Sequence, residues 1–314
     1  MRTSALYKTI PSAADGITMT LDTVAWTYNA WVEITASAPA NAVLAGALIT
    51  NSNVNSNIDR EIQVGIGASS SESAICTFRI GIPSPSSGRY QALMLPVPIS
   101  GIGGQRVSFR GRTSDTGGAT VGIALLYLDN PSSQIYTNKF LTCVPNGANG
   151  VSVTPNGTAW ANSSWVELTS GIANPIAIAG ITVTTASFNA TQAIDVEWEL
   201  GTGAGGAETA ITSIRHNTGS TGNCRQVWML FNGIYTLAAS TRVAVRMRKN
   251  GTNTTAWRVS LLYYDNLTIG GGGGAGKGPG GGGKKSGGGG LNKLVPGGAN
   301  IFNIGNPGLD IGSA

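Results

Sequence analysis

Charge is scarce in this chain. Of 314 residues only 11% are Asp, Glu, Lys or Arg, and histidine occurs once. The net charge is +5, and four of the lysines, Lys277, Lys284, Lys285 and Lys293, lie in the last fifth of the chain. A nucleic-acid binder concentrates its basic residues on one face, so nucleic acid is not an expected partner. A single histidine, His216, rules out a two-histidine metal site or a duplicated histidine base. It precedes Asn217-Thr218-Gly219-Ser220-Thr221-Gly222, which reads as a loop, so the expectation is a solvent-exposed histidine.

Cysteine is scarce too. Cys76, Cys143 and Cys224 are odd in number and unpatterned, which argues against a disulfide framework or a metal site and for reduced, mostly buried thiols made in a reducing cytosol. No run approaches the roughly 20 apolar residues of a membrane span, and the N-terminal residues do not read as a signal peptide. Asn-x-Ser/Thr triplets begin at Asn156, Asn162, Asn189, Asn250, Asn253 and Asn266; without an export signal they read as turns. No nucleophile-elbow pattern is present. Gly271 to Lys277 has the outline of a phosphate loop, but Gly278 stands where Ser or Thr is required. No catalytic, metal-binding or cofactor-binding residue is expected, and the chain is not expected to be an enzyme.

What the chain does have is a duplication. Ala25-Trp26 and Trp31-Val32-Glu33 return as Ala159-Trp160 and Trp165-Val166-Glu167, and Ala45-Gly46 returns as Ala179-Gly180, all displaced by 134. Pro11, Ala14 and Gly16 match Pro145, Ala148 and Gly150 at the same displacement, and Gly67 matches Gly201. Later the displacement drifts to 135 or 136: Met94 to Met229, Arg106 to Arg242, and Leu125-Leu126-Tyr127 to Leu261-Leu262-Tyr263. A period this long is a domain, since solenoid and propeller repeats span roughly 20 to 50 residues.

Within each copy, apolar and polar residues alternate with period two. Ile62, Val64 and Ile66 share one face of a strand, as do Ile194, Val196, Trp198 and Leu200, whose opposite face carries Asp195, Glu197 and Glu199. Turn material separates the strands at Gly101 to Gly104 and at Lys249 to Asn253. These are half-buried antiparallel strands, about eight per copy. A short helix near Ser70 to Ala74 or Ala204 to Ala210 is compatible with the pattern but not required. The expected fold is all-β: two tandem homologous antiparallel β-sandwich domains of jelly-roll type at 1–134 and 135–268, a Gly-rich flexible linker at 269–290, and a C-terminal peptide at 291–314.

Three features of this layout are candidates for function. Arg106, Arg110 and Arg112 project from one face of a strand, and Arg242, Arg246 and Arg248 repeat them. Such strips bind phosphate, sulfated sugar or a partner's carboxylates; the simpler reading is pairing across strands with Glu61, Asp195, Glu197 and Glu199. Trp26/Trp160 and Trp31/Trp165 occur in both copies, which favours a shared structural role over a binding platform. Trp198, Trp228 and Trp257 occur only in the second copy, in place of Val64, Leu93 and Val121 or its neighbour, and are a possible sugar-stacking surface.

The linker, from Gly270 to Gly290, cannot build a core and is read as a tether whose ends lie roughly 25 Å apart. Beyond it, Leu291, Leu294, Val295, Ile301, Phe302, Ile304, Leu309 and Ile311 place apolar side chains on a turn-rich backbone. They are read as a docking peptide for a sheet edge or groove, with local concentration raised by the tether.

In overall style the chain resembles the structural proteins of tailed bacteriophage particles. Low-charge Ser/Thr/Asn/Gly/Ala-rich strands, a duplicated domain and a glycine tether carry that resemblance. It implies a non-enzymatic virion component, a capsid decoration or tail-associated protein. Such a protein would be made in the host cytoplasm and bound in many copies to capsid or tail subunits or to itself, with no membrane and no cofactor. The second reading is a carbohydrate-binding or receptor-binding adhesin that uses the second-copy tryptophans.

Overall fold

The computed structural model describes residues 6–12, 16–51, 58–82, 90–129, 137, 140–185, 194–217 and 227–265. The first copy runs β1 (Leu6–Ile10), β2 (Ile17–Thr20), β3 (Val32–Thr35), β4 (Val43–Asn51), β5 (Ile58–Ile66), β6 (Ser73–Ile82), β7 (Tyr90–Ile99), β8 (Val107–Thr113) and β9 (Thr120–Asp129). The second runs β10 (Leu141–Val144), β11 (Val151–Val153), β12 (Val166–Thr169), β13 (Ile176–Thr185), β14 (Asp195–Thr202), β15 (Thr209–Asn217), β16 (Val227–Leu237), β17 (Val243–Lys249) and β18 (Trp257–Asp265). Among the described residues there are nine strands per copy because the first strand is broken in two: β1 and β2 both pair with β9, and β10 and β11 both pair with β18.

No helix occurs among the described residues. Where one was allowed, Ser70 sits in a turn at φ 68° and β6 starts at Ser73, and a turn at Gly205-Gly206 leads into β15. A single turn with glycines on one side and strand-forming residues on the other has no stretch on which a helix could grow.

In the first copy one sheet has the order β1-β9-β4-β7 and the facing one β6-β5-β8-β3; in the second the same orders read β10-β18-β13-β16 and β15-β14-β17-β12. This is the strand order of a jelly roll. The register follows the alternation: β8 and β17 have the same buried-face pattern, Val107, Phe109 and Gly111 facing in from one and Val243, Val245 and Met247 from the other. The copies are continuous with each other. β10 pairs with β6 in parallel, Leu141 opposite Cys76, so the five-stranded sheet of the second copy and the four-stranded sheet of the first form one nine-stranded sheet. Leu141, Cys143, Ala177, Ala179, Leu262 and Tyr264 of the second copy belong to the core of the first. The Tyr264 hydroxyl donates to the Val97 carbonyl at 2.7 Å and accepts its N–H at 3.1 Å. Met1–Thr268 is one compact unit; residues 269–314, with the linker and docking peptide expected there, lie outside the described residues.

Strand pairing also corrects the repeat alignment. The displacement is 134 through β4, where Gly46 corresponds to Gly180, and 136 from β5 on, where Glu61, opposite Arg112, corresponds to Glu197, opposite Arg248. The step falls in the β4–β5 connection. Gly67 (φ 125°) therefore matches Gly203 (φ 122°), not Gly201. Met94 matches Leu230, each opposite its bulge glycine, Gly46 or Gly180. Trp198 stands for Ile62, Trp228 for Ala92 and Trp257 for Val121.

Candidate functional site

Each copy carries the same polar face on the outside of its four-stranded sheet. In the first copy the register sets Glu61 of β5 between Arg79 of β6 and Arg112 of β8, and Gln63 beside Thr77 and Arg110. In the second it sets Glu197 of β14 between Arg215 of β15 and Arg248 of β17, and Glu199 beside Ser213 and Arg246. Asp59 and Asp195 close the row. Alternation alone forces these groups outward, because Ile62 and Val64, or Trp198 and Leu200, take the inner face.

The β2–β3 and β11–β12 loops lie over this face. Trp26 and Trp160 both adopt left-handed φ, 61° and 60°, and donate their backbone N–H to Thr113 and Lys249 at 2.8 and 2.7 Å. Such a conformation costs an L residue about 1 kcal/mol or more. It is held here because each indole also meets a guanidinium, Arg79 at 5.1 Å and Arg215 at 4.5 Å. Trp31 and Trp165 are covered by Arg110 and Arg246 at 4.5 and 4.4 Å. A Cβ at Gly65 or Gly201 would stand 2.6 or 2.7 Å from those indoles, so only glycine admits the ring. The repeated tryptophans and the arginine strips are thus one device: each loop is clamped to its sheet by alternating guanidinium and indole.

The arginines are also paired. Arg106 bonds Glu33 at 2.7 Å and Glu72, and Arg242 bonds Glu167 at 2.6 Å and Glu208 at 2.8 Å. Arg110 donates to Gln63 at 2.9 Å and Arg246 to Glu199 at 2.5 Å. Arg112 meets Glu61 at 2.5 Å, and Arg248 meets Glu197 at 2.7 Å.

The two faces differ in what covers them. In the first copy the segment after β10 seats on the charged row. Arg79 donates to Glu61 at 2.7 Å, to Asp59 at 3.3 Å, and to the carbonyls of Pro145 at 3.0 Å and Ala148 at 2.6 Å. Gly147 N–H donates to Glu61 at 3.1 Å, Gly150 N–H to Asp59 at 3.2 Å, and Arg112 to the Asn146 side chain. Asp59, Glu61, Arg79 and Arg112 thereby all have protein partners, the condition for burying ions at all. Beside it, burial and the Glu61 carboxylate push the Cys143 thiol up to about 12. In the second copy the same row is open: the side chain of Arg215 is 56% exposed against 2% for Arg79, and Asp195 34% against 2% for Asp59. Hydrogen bonds from Asn217 and Arg215 hold the Asp195 carboxyl below its usual range.

Two expectations for the second copy are corrected. Trp198 and Trp257 are buried and meet edge to face at 5.9 Å inside the sandwich, so neither can stack on a sugar. They share their core with Val153 and Met247, where the first copy has Met19 and Gly111. The core of the second copy is therefore filled by a different set of large residues. Trp228 lies in β16, with its side chain outside the described ones. His216 is not in a solvent-exposed loop. It is the penultimate residue of β15, facing in, 6.4 Å from the Trp257 ring, and burial lowers its pKa to about 4. Neither ring nitrogen, nor Lys249 Nζ, nor Trp198 Nε1, has a hydrogen-bond partner among the described residues. Cys76 and Cys143 are buried free thiols, as expected, and Cys224 lies outside the described residues. No group of three or more His, Cys, Asp or Glu that could hold a metal occurs among the described residues.

The face of half-buried Asp195 and Glu197 and exposed Arg215 was missed in the sequence as a site because every residue in it has a counterpart in the first copy. The signal that could have found it was in the alignment: Asp59, Glu61 and Arg79 repeat at 136.

No family model and no curated protein matches the chain. Among solved structures, a recombinant peptide:N-glycanase F is matched at 12% identity and a TM-score of 0.33, over 85% of this chain and 97% of that one. PNGase F from Flavobacterium meningosepticum, named as a glycosylasparaginase, is matched at 12% identity and a TM-score of 0.28, over 80% and 97%. A structure of infectious bursal disease virus, Gt strain, follows at 8% identity and a TM-score of 0.19, over 85% and 76%. The expectations of a non-enzymatic bacteriophage component and of no enzyme are withdrawn: the two solved structures matched over most of both chains are of an enzyme. At such TM-scores the likeness brings no residue, substrate or reaction to this chain.

Proposed function

We propose that the chain is a protein-recognition component, and that its working surface is the open ion-pair face of the second copy, which binds a turn of backbone. The observation that supports this is the first copy, where the matching residues hold residues 145–150. Arg79 gives two N–H groups to carbonyls, and Glu61 and Asp59 each accept a backbone N–H. In the second copy Arg215 offers the same donors and Asp195 and Glu197 the same acceptors, with Trp160 at their side. Charge-assisted hydrogen bonds to backbone groups grip a loop by its shape, whatever its side chains. Recognition of this kind serves a binding protein and an enzyme with a protein substrate alike.

The test is an NMR titration of the labelled full-length chain with a synthetic peptide of residues 141–153. Expected are shifts confined to β14, β15 and β17 that vanish in Arg215→Ala. Shifts elsewhere, no shifts, or shifts indifferent to that substitution would overturn the proposal.

A further inference from the structure

We infer that the open face of the second copy receives the first copy of another molecule of this chain, so that molecules join head to tail. The inference rests on the preceding reading of that face and adds the identity of its partner. The joint inside the chain supplies the pattern. There β10 adds in parallel to the edge strand β6, Leu141 opposite Cys76, and Pro145 to Gly150 then cross onto Asp59, Glu61, Arg79 and Arg112.

Every receiving group has a counterpart 136 residues on: Thr212 for Cys76, Asp195 for Asp59, Glu197 for Glu61, Arg215 for Arg79 and Arg248 for Arg112. The offered groups have counterparts 134 residues back: Tyr7 for Leu141, Pro11 for Pro145, Ser12 for Asn146 and Gly16 for Gly150. Both sets stand at open edges. Among the described strands β1 pairs only with β9, and β15 only with β14. Tyr7 and Arg215 lie exposed on them. An unprotected sheet edge is a template for another chain, and the counterparts of these two edges, β10 and β6, already pair inside the molecule.

Placing a second molecule's first copy as the second copy is placed on the first sets Tyr7 beside Thr212, the Pro11 carbonyl at Arg215 and the Gly16 N–H at Asp195. The contact is heterologous, so it closes into a ring or propagates as a chain. It is also weaker than the internal joint. Ser12 is shorter than Asn146, whose side chain accepts from Arg112, and Asn162 replaces Tyr28, which covers Arg112 at 4.1 Å in the first copy.

The experiment is sedimentation velocity of the full-length chain over a wide concentration range. The wild type is expected to associate reversibly. Arg215→Ala, which damages the receiving face, and Ser12→Arg, which sets a cation against Arg248, each leave a monomer. Mixed one to one, these two variants form a dimer and nothing larger, because one intact joint remains. Ser12→Asn moves association to several-fold lower concentration. Variants that associate like wild type, or a mixture that stays monomeric, overturn the inference. If the wild type is monomeric while its β14 and β15 still respond to the 141–153 peptide, the partner is wrong and the face is right; if both measurements fail, both fall.

Discussion

The ion-pair face of the first copy and that of the second are built from the same residue types in the same register, yet one is sealed and the other faces solvent. Asp59, Glu61 and Arg79 lie beneath residues 145–150, whereas Asp195 and Arg215 are open. The comparison teaches that a duplicated surface takes its energetic role from what seats on it. The buried version is an all-or-none assembly in which removing one ion strands the others in a low-dielectric setting. The open version is screened by water and contributes little to stability, which leaves it available for binding.

Removing the same carboxylate from each copy is expected to have very different costs. Glu61→Gln leaves Arg79 and Arg112 without their shared anion and is expected to cost about 3–5 kcal/mol; Glu197→Gln is expected to cost less than about 1 kcal/mol. Urea denaturation of both variants decides it, and equal costs would mean that burial of the first face carries no special energetics.

Acid offers a second contrast. His216, where the first copy has Ile80, has its pKa lowered from 6.5 to about 4 by burial. A base with a depressed pKa in the folded state favours folding when neutral, so its contribution is complete above pH 6.5 and is lost as pH falls toward 4. That loss reaches about 3 kcal/mol. Asp195 lies near enough to oppose part of it. The second copy should therefore loosen first between these pH values, seen as faster amide exchange in β15 and β18. His216→Leu should remove the difference, and an unchanged acid profile in that variant would refute the assignment.

The smallest effect tests where the copies agree. Gly65→Ala and Gly201→Ala both push a methyl into an indole and are expected to cost about 1–3 kcal/mol each. A gap between them of more than about 1 kcal/mol would show that Trp31 and Trp165 are not held alike.

Much of the fold was legible because alternation and duplication are local or self-referential signals. The inward set Ile194, Val196, Trp198 and Leu200, opposite Asp195, Glu197 and Glu199, needed only the pleat to be read. The arginine partners were legible for the same reason, since neighbouring strands bring Arg248 to Glu197 and Arg112 to Glu61. His216 was not legible, because Asn-Thr-Gly residues after it read as a loop while its own position belongs to the last turn of the strand pattern. Nor was the fate of Trp198 and Trp257: extra aromatics in one copy look the same in a sequence whether they fill a core or face a ligand.

By itself the sequence determined that the repeated part of this protein is β, that its two copies share one pattern, and which side chains face in or out of β5, β8, β14 and β17. These follow from a period of two and from self-comparison, and neither requires knowing what touches what. The tertiary structure alone decided that the copies share a continuous sheet and that one charged face is filled by its neighbour while the other stays open. That outcome depends on the placement of β10 against β6 and of residues 145–150 on Arg79, contacts between segments some 65 residues apart that no local pattern encodes.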